Sequence, residues 1–167
     1  MDAIYIKPFI ASISNVFSTM MQLPVTVKEP YVKPAEGPSS DVSGIIGMSG
    51  DVRGSVVLSF SNTTAENIVA LFCGQKYGAG TPDFADAIGE LVNMVSGGAK
   101  ALFKDRKVSI SCPSVVLGVN HILAKQSDVP TVVIPCATDC GIVNIEVSIK
   151  DARTPATPAD APATAQA

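Results

Sequence analysis

Apolar residues recur at helical spacing over the first part of the chain. Ile6, Phe9, Ile10, Ile13, Val16, Phe17, Met20 and Met21 fall on one stripe, which predicts a helix over residues 4–21. Pro8 suits a first turn, so the regular part is expected to begin near Lys7. Alternating Val25 and Val27 read as a strand within 22–31, and the Pro, Gly and Ser of 32–40 as a loop. Residues 42–48 and 52–60 read as two well-buried strands joined by a turn at Ser49-Gly50-Asp51, with Gly44, Gly47 and Gly54 marking bulges or close approaches. Helical spacing returns over 61–73, where Ile68, Val69, Leu71 and Phe72 are apolar. Thr63 and Glu66 stand at capping-box spacing there, and Gly74 is a stop. Strands are expected at 107–112 and 114–119, around Pro113. A last hairpin is expected from 129–137 and 142–149. Residues 120–127 carry no clear pattern. Strands and helices come in runs without strict alternation, which predicts an α+β fold with long helices packed on a largely antiparallel sheet. Residues 151–167, DARTPATPADAPATAQA, have no apolar period and read as a disordered tail after a domain at 1–150.

The strongest helical signal is TPDFADAIGELVNMVSGGAKALF, residues 81–103. Thr81 suits the N-cap and Pro82 the first helical position. Asp83 and Asp86 lie near the positive end of the helix dipole, and Lys100 and Lys104 near the negative end. At about 100° per residue, Phe84, Ile88, Leu91, Val92, Val95, Ala99 and Leu102 share a face expected to be buried. Asp86, Glu90, Asn93 and Gly97 form the opposite stripe, flanked by Gly89, Ser96, Ala85, Ala87 and Ala101. Exposed helix positions usually carry long residues that favour the helix. A face of Gly, Ala and Ser gives up some of that stability and lets a partner's surface come close to Glu90 and Asn93. Two readings follow: an ordinary solvated Glu and Asn, or a carboxylate and an amide held one turn apart to grip a partner and orient a water.

Composition narrows the chemistry. The 167 residues are 47% hydrophobic and 16% charged, enough for one globular domain with a sizeable core. A net charge of −3 argues against nucleic acid as a partner, because that needs a basic patch. No apolar run reaches the length of a membrane span, and the N-terminus has no signal-peptide pattern, so the expected location is cytoplasmic. Cys73, Cys112, Cys136 and Cys140 are expected to be reduced and buried. Cys136-x-x-x-Cys140 lacks a second ligand pair, and His121 is the one histidine, so no metal is expected. The phosphate loops and the nucleophile elbow are missing. With one histidine and no Ser or Cys in a nucleophile context, a catalytic triad is not expected.

These residues resemble a known family. Asp86-x-x-x-Glu90-x-x-Asn93 on one long mid-chain helix, the opening IKPFIASISNVFSTM, and SCPSVVLG about 20 residues on are similar to the chemotaxis phosphatases CheX and CheC. The likeness covers roughly residues 1–150 and is greater to single-site CheX, because the opening helix has Ser12 and Asn15 but no Glu-x-x-Asn. The resemblance implies hydrolysis of the aspartyl phosphate of a response regulator such as CheY. Asn93 would orient the attacking water, Glu90 would dock on the regulator's lysine, and Asp86, Gly89 and Gly97 would lie against the partner. It implies no cofactor of the chain's own, with Mg2+ supplied by the regulator. It also implies a homodimer with sheets joined across the interface, for which the strands within 42–60 and 129–149 are suitable. Pro113 follows the helix at a shorter interval than the family's and has no assigned role. The alternative is a non-catalytic module that binds a regulator or another signalling protein through the same helix.

Overall fold

The computed structural model describes residues 2–35, 37, 40–124 and 129–153. Along them run α1 (Ala3–Met21), β1 (Thr26–Val27), β2 (Tyr31–Val32), β3 (Ser40–Gly50) and β4 (Val52–Phe60). There follow α2 (Asn62–Cys73), α3 (Pro82–Ala101), β5 (Val108–Ile110), β6 (Ser114–His121), β7 (Val132–Thr138) and β8 (Gly141–Asp151). The strands make one antiparallel sheet in the order β1-β7-β8-β4-β3-β5, with β2 also paired to β7 and β6 also to β3. The expected α+β layering is what forms.

Register explains the layers. Ile46 lies beside Val56, Val56 beside Val147, and Val147 beside Val132. Strand side chains alternate between faces, so these residues share one face of the sheet. That face joins Phe9, Ile13 and Phe17 of α1, Ile68 and Val69 of α2, and Phe84, Ile88, Leu91 and Val95 of α3 in a single core. Burying each large side chain contributes roughly 1.5–3 kcal/mol. The core holds all three helices on one side of the sheet. Gly44 does mark a close approach, since a Cβ there would stand 3.0 Å from Val92 Cγ1. This is how α3 comes down onto β3.

Several expected boundaries move. α1 starts at Ala3 because the Asp2 side chain accepts a hydrogen bond from the Ile4 amide. Pro8 therefore lies inside the helix, where the bond its missing N–H would make to the Ile4 carbonyl is lost. α2 is capped by Ser61, whose hydroxyl accepts from the Thr64 amide, and not by Thr63. Leu71 on its outer side is exposed. The segment 22–31 gives two short pairings, β1 and β2, and no continuous strand. Asp151, expected to open the tail, is the last residue of β8 and is paired with Val52; the tail from 154 onward lies outside the described residues. Cys136 is buried and its thiol is pushed up to about 12 by desolvation, whereas Cys73 and Cys112 are exposed. Strands β3, β4, β7 and β8 have partners on both sides. They are therefore not the edges at which two sheets would join. β6, paired only with β3, lies at an edge.

Two carboxylates tie the ends of elements together. Asp41 accepts from the amides of Asn62, at the start of α2, and Asn120. These bonds hold its carboxyl below the usual range, with His121 a lesser influence. Asp151 is held low chiefly by the Arg153 amide and the Tyr5 hydroxyl, and further by Arg106 at 2.8 Å. A carboxyl depressed in the folded state stabilises it above the unfolded value of about 3.9, and that contribution disappears as pH falls through the folded value. Stability should therefore fall more steeply below about pH 4 in the parent than in Asp41→Asn or Asp151→Asn. Urea midpoints measured from pH 3 to 7 test this.

Candidate functional site on the third helix

α3 begins as its sequence dictates. The Thr81 hydroxyl accepts from the Phe84 amide at 3.3 Å, Pro82 opens the helix, and Asp83 lies in the first turn. Phe84, Ile88, Leu91, Val92, Val95 and Ala99 are fully buried. Leu102 is not: it is 49% exposed. Here the helix tightens, with Leu102 donating to Ala99 and Phe103 to Lys100. These i to i−3 bonds wind the last turn more tightly than an α-helix. Phe103 takes the inward place instead and packs edge-on against Phe9 at 6.0 Å.

The outward stripe is present. Asp86 and Glu90 are exposed, and Asn93 and Gly97 are half-buried. Among the described residues, neither the Glu90 nor the Asn93 side chain is engaged in a hydrogen bond or ion pair. One turn apart, their Cβ atoms lie about 5–6 Å from each other. An exposed carboxylate can take a cation, and an amide can both accept from and donate to a water.

The flanks differ from expectation. Gly89, Ser96 and Ala87 are buried. A Cβ on Gly89 would meet the Pro113 ring at 3.4 Å. Gly89 therefore lies under the β5–β6 connection and is not open to a partner. Ser111 pins that connection to β3: its hydroxyl accepts from the Gly47 amide at 2.9 Å, and its own amide donates to the Gly47 carbonyl. Pro113 itself is exposed, so residues 111–113 form a fixed shelf beside the stripe. Sequence spacing could not place that shelf, because it depends on β5 and β6 pairing along the same strand.

The glycines of α3 separate by what they touch. A Cβ at Gly98 would overlap the Ser12 hydroxyl, which donates to the Val95 carbonyl at 2.7 Å. Gly98 thus serves the α1–α3 contact. At Gly97 the nearest atom is Ile110 Cδ1, 4.0 Å away, so nothing inside the molecule requires its small size. Gly97→Ala should raise stability by about 0.5–1 kcal/mol. Gly98→Ala should bring no such gain, because it displaces the Ser12 hydroxyl. Urea unfolding of the two variants measures the difference.

Other candidate chemistry is not brought together. The Ser43 hydroxyl lies 2.7 Å from His121 Nε2, but Ser43 is fully buried and Nδ1 is used on the Gly118 carbonyl. No substrate can reach that serine. Among the described residues no group of three His, Cys, Asp or Glu could hold a metal ion, and no helix is long and apolar enough to cross a membrane.

Comparison with known proteins adds a family. The family profile described as "Chemotaxis phosphatase CheX" matches residues 42–137. The CheY-P phosphatase CheX of Thermotoga maritima is 34% identical over 122 residues, covering 71% of this chain and 78% of the relative. A CheC-like superfamily protein from Shewanella sp. PV-4 superposes with a TM-score of 0.82 at 34% identity, over 90% of this chain and 99% of that one. A CheX–CheY–BeF3–Mg2+ complex from Borrelia burgdorferi matches with a TM-score of 0.74 at 22% identity, over 87% and 97% of the two chains, a likeness of fold.

Proposed function

The chain belongs to the chemotaxis phosphatase CheX family, and from that premise we propose that it hydrolyses the aspartyl phosphate of a CheY-like receiver docked along α3. The observation that carries this reading is the outward, unengaged Glu90–Asn93 pair on a helix fixed by its whole inner face. Glu90 meets the receiver's active-site lysine and sets the register of the two proteins. Asn93 then holds a water in line with the phosphorus–oxygen bond of the acyl phosphate. A neutral amide is no general base, but it can fix a water by accepting from it and donating to it. In phosphoryl transfer, positioning and electrostatic stabilisation supply most of the acceleration. The receiver contributes its own Mg2+, which neutralises charge on the phosphoryl oxygens. That the Borrelia complex contains Mg2+ as well as CheX and CheY is consistent with that division of labour.

The bare surface at Gly97 lets the receiver's backbone approach next to Asn93, and Asp86 makes a flanking contact. The exposed shelf at Pro113 bounds the same surface. The protein acts in the cytoplasm as a homodimer, joined at the exposed β6 edge, where Leu117 and Val119 are 39% and 70% exposed. The test is loss of phosphate from a phosphorylated receiver in the presence of substoichiometric protein. Acceleration over many turnovers supports a phosphatase. Binding with an unchanged rate of loss would make the chain a docking module.

A further inference from the structure

Beyond the far end of α3, the first turns of α1 and the residues after α3 enclose a groove of about 320 Å3. Ile4, Pro8 and Ala11 form one apolar wall, and Leu102 and Phe103 the other. Ile4 and Leu102 are 56% and 49% exposed. Lys7, Lys104 and Arg106 also line the groove, and among the described residues no carboxylate does, although the chain as a whole carries −3. Asp151 neutralises Arg106 from outside the groove, at 2.8 Å. Lys7 and Lys104 have no hydrogen-bonding or ionic partner among the described residues.

Lys104 has a reason within the fold, because it follows the negative end of the α3 dipole. Lys7 lies in the second turn of α1 and is exposed beside the groove. The two ammonium groups give the apolar slot a positive rim.

Size and composition choose the occupant. The volume is at the small end of ligand pockets. The chain's own residues 154–167 contain no Val, Leu, Ile, Met or aromatic side chain, and their one charged side chain is Asp160, a poor match for an apolar slot beside two ammonium groups. We propose that the groove binds a small amphipathic monocarboxylate. Its hydrocarbon chain lies between Ile4 and Leu102, and its carboxylate between Lys7 and Lys104. This site is separate from the Glu90–Asn93 surface and does not depend on the phosphatase reading.

Isothermal titration of the full chain with sodium decanoate, below its micelle concentration, tests the proposal, with decanol and decyltrimethylammonium as comparators. One decanoate should bind per chain, at least tenfold more tightly than either comparator. The Lys7→Glu/Lys104→Glu double variant, whose sites are exposed, should keep its circular dichroism and lose at least tenfold in decanoate affinity. Leu102→Ser should weaken all ligands. Equal affinity for decanol, an unaffected double variant, or heats that never saturate would overturn the assignment. So would concentration-dependent self-association that Leu102→Ser abolishes, because the occupant would then be a second copy of the chain.

Discussion

Replacing Asn93 with alanine should reduce catalysed loss of phosphate from a phosphorylated receiver by about 10²-fold or more, the scale expected when a reacting group loses its positioning. Receiver binding should change little, because the amide's task falls in the transition state. Glu90→Lys should act the other way. It places like charge against the receiver's lysine, so affinity falls first and rate follows only through occupancy. Asn93 is half-buried and Glu90 exposed, and among the described residues neither supports another side chain, so both variants should keep the parent's unfolding midpoint. Single-turnover rates at saturating receiver, set beside equilibrium binding, separate the two effects. Equal losses of affinity in both variants would remove the distinction between docking and water positioning.

The second large effect concerns stability and lies on the sheet face away from the helices. Lys33 Nζ stands 2.6 Å from Glu146 Oε2, and their side chains are only 11% and 6% exposed. The Ser59 hydroxyl donates to the other Glu146 oxygen at 2.8 Å. The Lys33 amide also donates to the Thr131 carbonyl, so this pair fastens the segment after β2 to the middle of the sheet. Lys33→Ala leaves a buried carboxylate with one hydroxyl for company. The expected cost is roughly 3–5 kcal/mol. The double variant Lys33→Met/Glu146→Leu removes both charges and should lie within about 1 kcal/mol of the parent or above it, since a well-packed apolar pair avoids the desolvation penalty. Chemical denaturation of the parent, the single variant and the double variant gives the coupling directly.

That pair shows what a single sequence hides. Lys33 sits in a stretch of Pro and Gly that reads as a loop, and nothing in the strand pattern of residues 142–149 singles out Glu146. Their meeting depends on the register β2 takes on β7 and β7 on β8, which local pattern does not encode. By contrast, α3 was legible almost residue by residue. Its cap, its first-turn proline and its inner face are local, and an apolar period that long outweighs context. The outward stripe followed from the same geometry. Its flanks did not, because Gly89 is covered by Pro113 and Val115, more than twenty residues away in sequence. α1 was misread at its start, since Pro8 suggested a boundary and the Asp2 cap overrode it. The strand order was not legible, and so β6, one of the strands at the sheet's edges, was not among those expected to join a second copy.

The most direct measurement is an amide chemical-shift map of the protein titrated with a beryllofluoride-activated, Mg2+-loaded receiver. If α3 carries the site, the large shifts will fall on Asp86, Glu90, Asn93 and Gly97 and on the neighbouring Ser111 and Cys112, and the unactivated receiver will produce much weaker ones. Saturable binding that leaves these signals in place and moves those of the opposite sheet face would contradict it.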